Sequence, residues 1–212
     1  EVALQTLHEA GATLVDVEIP TEGQWQADET TLLLYEFKAG LERYLQKHDA
    51  PLKSLTQLIG YNQQYATSEM PYFGQELFEQ ANAKGGLGEE AYISARSRAR
   101  RLAGQEGIDA VLKPQKLDAL VAPTTGPAWL TDTAKGDAFP GAGYGAAAVA
   151  GYPSLTVPMG SSNGLPLGIT FMGTAWSEPR LIELGYAYEQ LTRARKPPEY
   201  RTSVAAQKSM AP

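Results

Sequence analysis

Few side chains in this chain can do covalent or acid–base chemistry, and none is arranged as a catalytic set. There are two histidines, His8 and His48, and no cysteine. Disulfides and thiolate metal sites are therefore excluded, and the histidines are too few for a zinc centre. Both lie on polar stretches of expected helices and read as surface residues. No Gly-x-Ser-x-Gly elbow and no Ser-x-x-Lys pair occurs. Ser161 and Ser162 belong to "SSNG", between two apolar runs, and read as turn residues rather than nucleophiles. Glu36 is different, because "LLLYEF" sets it beside an apolar helix face with Gly40, not a base, at i+4. Such an acid needs a ligand, a backbone donor, solvent at the helix edge or a distant cation, so it is a candidate pocket residue. Asp109 with Asp118, and Glu89 with Glu90, show no feature of an acid–base couple.

Thr124 and Thr125 gain interest from the element that precedes them. "LDALVAPTTG" contains a continuous apolar run, "ALVAP", of the kind expected in a strand buried on both faces, ended by Pro123. Ligands of α/β sheets collect beyond the carboxyl ends of strands, so the two threonines are site candidates, with turn chemistry before "GPAW" as an equal alternative. In "FPGAGYGAAAVAG", Gly141, Gly143 and Gly145 give a flexible approach in which Tyr144 is the only bulky group. "AAAVAG" is a short helix of small residues that lets another backbone come close. A phosphate cradle is disfavoured there, since no Lys-Ser or Lys-Thr pair follows and the acid of a dinucleotide site is missing. "AGYPSLTVPMGSSNGLPLGITFMG" then reads as a hairpin with "SSNG" as its loop and Pro153 and Pro166 at strand starts.

The remaining elements must hold these residues in place. "EVALQTLHEAG" reads as a helix with Ala3, Leu7 and Ala10 at helical spacing and Gly11 suited to its cap. Because that helix is already under way at Glu1, the expectation is the C-terminal portion of a longer protein, with proteolytic trimming of a mature protein as the alternative. "ATLVDVEIP" alternates Val15, Val17 and Ile19 with Asp16 and Glu18, the pattern of a half-exposed strand. After Asp28 a helix sets Leu33, Phe37, Gly40, Leu41 and Tyr44 on one face, expected to pack on the core. Residues 51–88 read as a peripheral helical segment. A longer helix over about 89–107 carries Arg96, Arg98, Arg100 and Arg101 around most of its circumference, which favours a solvated face paired with acids over a phosphate site. "EPRLIELGYAYEQLTRARKPP" is amphipathic, with Leu181, Leu184, Tyr188 and Leu191 on one face and Pro197 and Pro198 as its stop. Residues 1–200 read as part of one domain and 201–212 as a loose tail.

Composition narrows the partners. The chain has 212 residues, 43% hydrophobic and 20% charged, the balance of a folded globular protein. Its formal charge of -6 repels polyanions, so nucleic acid is not an expected partner. No apolar run approaches the roughly 20 residues of a membrane span. A cytoplasmic location is the expectation, with periplasmic or secreted locations left open because the lack of cysteine does not fix a compartment.

"LDALVAPTTGPAW", "AAAVAGYPSLTVPMG" and "GLPLGITFMGTAWSEPRLIELGYAYEQLTRARKPP", in this order and spacing, resemble the C-terminal third of the amidase signature family. The look is that of its bacterial peptide amidase-like branch. "LLLYEFKAGLERYL" resembles the corresponding upstream helix, and "EAGATLVDVEIP" the segment after the catalytic region. The resemblance implies an α/β fold, the C-terminal part of a large mixed β-sheet covered by helices. It also implies a cofactor-free, metal-free Ser-Ser-Lys amidohydrolase whose Gly/Ser-rich loop and lysine lie upstream of the matched part. No position here corresponds to them, so no catalytic residue is assigned and the chain by itself is expected to hydrolyse nothing. The matching positions for substrate binding are Tyr35, Glu36, Thr124, Thr125, Gly126 and Tyr144. In the transfer-RNA amidotransferase branch an Asn stands three residues before the Gly of the "AG-x-P" block; Ala148 holds that place here, which argues for a more apolar substrate. The expected partners are a small-molecule or peptide amide and the N-terminal catalytic portion of the same enzyme. If the piece exists alone, its open strand edges are expected to drive homodimer formation or dye binding. A non-catalytic binding or assembly subunit is the alternative function.

Overall fold

The computed structural model describes residues 1–198 as two apolar clusters separated by a three-stranded sheet. Helix α1 (Val2–Glu9) ends where the Gly11 and Ala12 amides donate back to the His8 and Leu7 carbonyls, Gly11 taking φ 93°. The alternating stretch that follows is extended but forms no strand, since no described backbone group bonds to residues 13–18. Val17 and Ile19 still pack on the first cluster, while Val15 stays exposed. An alternating pattern makes a strand only when a neighbour supplies the ladder.

Helix α2 (Gln26–Lys47) turns a different face inward from the one its leucines suggest. Leu33, Phe37 and Tyr44 are exposed; Asp28, Tyr35 and Leu45 are buried, and Leu32 packs on the first cluster. The inward face is decided by partners rather than by apolarity, because the Arg98 guanidinium grips buried Asp28 through two hydrogen bonds. Short helices α3 (Leu55–Gln64), α4 (Ala66–Glu69) and α5 (Glu76–Asn82) fill the 51–88 region.

Helix α6 (Glu90–Arg100) runs on through a π-helical segment (Arg101–Ile108) into α7 (Asp109–Gln115), eight residues beyond the expected end at 107. Two glycines make this continuation possible. A Cβ on Gly107 would stand 2.7 Å from the Leu102 carbonyl, and one on Gly104 would stand 3.2 Å from the Tyr152 ring. The Thr21 hydroxyl also donates to the Leu102 carbonyl at 2.7 Å. Of the four arginines, Arg98 pairs with Asp28 and Arg101 with Glu106, as a solvated, acid-paired helix requires.

Strands β1 (Leu120–Pro123), β2 (Ser154–Ser162) and β3 (Leu165–Met172) form an antiparallel sheet in the order β1-β3-β2. The expectation of a doubly buried β1 is corrected: it is an edge strand with Val121 and Ala122 only half-buried. Beside it, a cleft of about 1080 Å³ separates β1 from the extended 13–17 segment. The hairpin loop is also tighter than "SSNG". Ser161 and Ser162 pair with Pro166 and Leu165, leaving Asn163 and Gly164 as a two-residue turn with φ 51° and 81°.

One sheet face packs Val157, Ile169 and Phe171 against Leu181 and Tyr188 of α9 (Glu178–Thr192). Leu191, on the same side, is exposed at the cleft that Leu184 and Tyr188 also line. Helix α8 (Gly145–Ala150) lays Ala146, Ala147 and Ala150 against the first cluster, the close approach that its small residues allow. Residues 201–212, expected as a tail, lie outside the described residues. Among the described residues no helix is long and apolar enough to cross a membrane.

Candidate functional site

The carboxyl end of β1 is fixed on two sides. The Thr124 amide donates to the Gly168 carbonyl at 2.8 Å, and the Thr124 carbonyl accepts from the Gly143 amide at 3.0 Å. Only glycine fits at 143, because a Cβ there would overlap the Pro123 carbonyl. Thr125 then pairs with Ala142 in an isolated bridge, closing the base of the loop that includes Gly126. Gly126 lies so near the returning arm that a Cβ would stand 2.7 Å from Pro140. Tyr144, exposed, caps the start of α8, with exposed Ala148 one turn along.

The Thr124 side chain joins two others. Its hydroxyl lies 2.8 Å from that of Thr170, which lies 2.9 Å from that of Thr156; the Thr124–Thr156 separation is 3.5 Å. The three belong to the end of β1, to β3 and to β2, so the register brings them together. Gly168 leaves the room, since a Cβ there would stand 2.7 Å from both Thr124 Oγ1 and Thr156 Cγ2. Among the described residues the three hydroxyls bond only to one another. Such a group can bind and orient a polar ligand, but it holds no acid or base to activate a nucleophile. The neighbouring Thr125 hydroxyl is buried without a partner among the described residues.

Four of the sequence candidates, Thr124, Thr125, Gly126 and Tyr144, thus meet at one place. Tyr35 and Glu36 lie on α2 and spend their polar atoms on α6 and the turn before it. Tyr35 donates to Glu89 at 2.6 Å and Tyr92 donates to Glu36 at 2.8 Å, with the two rings 5.7 Å apart. These hydrogen bonds, with burial and the nearby carboxylates, hold both phenols above the usual tyrosine range. A third phenol, Tyr152, is raised by burial and by its hydrogen bond to Asp109, whose Oδ2 also accepts from Lys113. Sequence reasoning missed Thr156 and Thr170. The available signal was a threonine in each hairpin strand at positions that face one another once the turn is set.

The Amidase family model matches residues 1–182. The chain belongs to the amidase family. This amidase chain is 61% identical to the native peptide amidase from Stenotrophomonas maltophilia, with a TM-score of 0.86 over 95% of this chain and 40% of that one. It is 35% identical to a probable amidase of Arabidopsis thaliana over 93% of the chain and 36% of the relative. Identity to a glutamyl-tRNA(Gln) amidotransferase protein of Synechococcus falls to 28%, over 96% of the chain and 41% of that protein. The chain therefore spans about two fifths of the relatives it matches. The mixed α/β fold with an antiparallel sheet under helices is that of its amidase neighbours.

Proposed function

We propose that these residues form the substrate-pocket part, C-terminal in its enzyme, of a serine amidohydrolase that converts a carboxylic or peptide amide and water into an acid and ammonia or an amine. The observation that carries this reading is the 61% identity to a peptide amidase across 95% of the chain. In the proposed chemistry, an activated serine oxygen outside this chain bonds to the amide carbonyl while its proton passes through a second serine and a lysine to the leaving nitrogen. The C–N bond then breaks, and water splits the acyl ester by the reverse proton path. This chain supplies no catalytic residue. Its part is the wall against which the acyl group lies: Thr124, Thr125 and Gly126 at the exit of β1, and Tyr144 at α8. Tyr35 and Glu36 are assigned to substrate contact from α2, apart from this group, with their polar atoms held by Glu89 and Tyr92. Exposed Ala148, one turn from Tyr144, supports an apolar rather than an anionic acyl group.

The test is ammonia release from a short peptide bearing a C-terminal carboxamide. The purified chain, verified at 22.8 kDa, is expected to release none. The complete enzyme that carries it is expected to turn over. Hydrolysis by the 22.8 kDa chain would place a nucleophile within it and sink the assignment of roles. A complete enzyme inert towards all amides would leave a non-catalytic binding role as the reading.

A further inference from the structure

We infer that Thr170 is a positioning residue that sets the direction of the Thr124 hydroxyl towards the amide group of the substrate. This rests on the amidase reading and names a residue that acts through another. Thr170 is fully buried on the central strand, and its hydroxyl reaches Thr124 on one side and Thr156 on the other. A strand needs no hydroxyl there for its own sake, because valine would fill the same volume without burying a polar group.

Counting protons shows what the hydroxyl adds. Thr170 has one proton, so it donates to one neighbour and accepts from the other. The third side of the triangle, 3.5 Å, is at the limit of a hydrogen bond. One outer threonine therefore keeps a proton free for a ligand while the other offers only lone pairs. When Thr170 donates to Thr124, the Thr124 proton is free to bind a carbonyl oxygen. When Thr170 donates to Thr156, Thr124 donates inward and its lone pairs can accept a carboxamide N–H. The exchange is a rotation of hydroxyl protons with no movement of heavy atoms. A carboxamide presents both a carbonyl and an N–H, so this pairing suits an uncharged amide.

Backbone geometry supports the same assignment. The Thr124 amide and carbonyl are both bonded, so the hydroxyl is the one polar group of that residue left to direct, and the residue is half-buried beside Tyr144's loop. Thr156, the other outer member, is exposed on the opposite edge strand, across Thr170.

The experiment uses the complete enzyme carrying this chain, with a peptide carboxamide as probe. Thr170→Val is expected to raise KM by about three- to tenfold, the effect of one neutral hydrogen bond, with kcat little changed. Thr170→Ser is expected to restore the parent value. The double variant Thr124→Val/Thr170→Val is expected to show no higher KM than Thr124→Val alone, because Thr170 then has nothing to direct. Unchanged KM in Thr170→Val overturns the inference, as does full additivity in the double variant. If Thr170→Val does not fold, the comparison passes to Thr170→Ser and Thr170→Ala at matched thermal midpoints, and equal KM in both overturns it. A parent enzyme that releases no ammonia ends the amidase reading itself, a result distinct from an active parent with unchanged variants.

Discussion

The hairpin with α9 and the pairing of α2 with α6 bury comparable side chains by different means. Around the hairpin, Phe171 meets Tyr188 edge-on with ring centroids 6.1 Å apart, and both are almost wholly buried among aliphatic groups. Between α2 and α6 the contact is stitched by crossed tyrosine–carboxylate bonds and by the Asp28–Arg98 pair. The first contact depends on volume and shape, so its cost of disruption is large and insensitive to salt. The second depends on paired polar groups, so each bond contributes little net stability but specifies which helix faces meet. The threonine triad lies on the sheet whose opposite face is the apolar cluster, which gives the candidate site its rigid base.

Four outcomes would break or sharpen this contrast. Tyr188→Ala should cost about 3–5 kcal/mol in urea unfolding, as expected for a large aromatic removed from a filled core. A loss under about 1 kcal/mol on that scale would show that the α9 cluster is loose. Gly164→Ala should cost about 1–2 kcal/mol, since the turn holds φ at 81°. Its effect on the hairpin should exceed that of any single polar stitch elsewhere. Tyr92→Phe should cost about 0.5–1.5 kcal/mol by removing the bond to Glu36, with little change in fold by circular dichroism.

The smallest effect is the pH response. Tyr92 and Tyr35 are raised in the folded state chiefly by hydrogen bonds to carboxylates, whereas burial alone raises Tyr188. Above the ordinary tyrosine value near 10 the unfolded chain loses these protons while the folded chain keeps them. The stability they contribute is therefore fully present below about pH 10 and is lost as pH rises through the folded values. Comparing urea midpoints at neutral and strongly alkaline pH, Tyr92→Phe should lose less than the parent. An equal loss would mean that the Tyr92–Glu36 bond does not form in solution.

Much of the site was legible because its marks are local. Thr124 and Thr125 follow an apolar run, and Gly143 and Tyr144 sit in a glycine-spaced approach. The hairpin followed from two apolar runs joined by "SSNG", though its exact loop did not, since Ser161 and Ser162 differ from turn residues only by being paired. The inward face of α2 was misread because a charged residue, Asp28, is buried there by a partner 70 residues away. The extended 13–17 segment was misread because strand pattern does not guarantee a strand neighbour.

By itself, the sequence determined the main helices, the hairpin, the family and the absence of cysteine chemistry, since periodicity, glycine spacing and motif order are properties of adjacent residues. Only the tertiary structure decided that Thr124, Thr156 and Thr170 form one hydroxyl group and that Tyr35 and Glu36 answer to α6 and the turn before it. Hydrogen bonds reach about 3 Å, and whether two distant residues come that close depends on register and helix rotation, which no local pattern encodes.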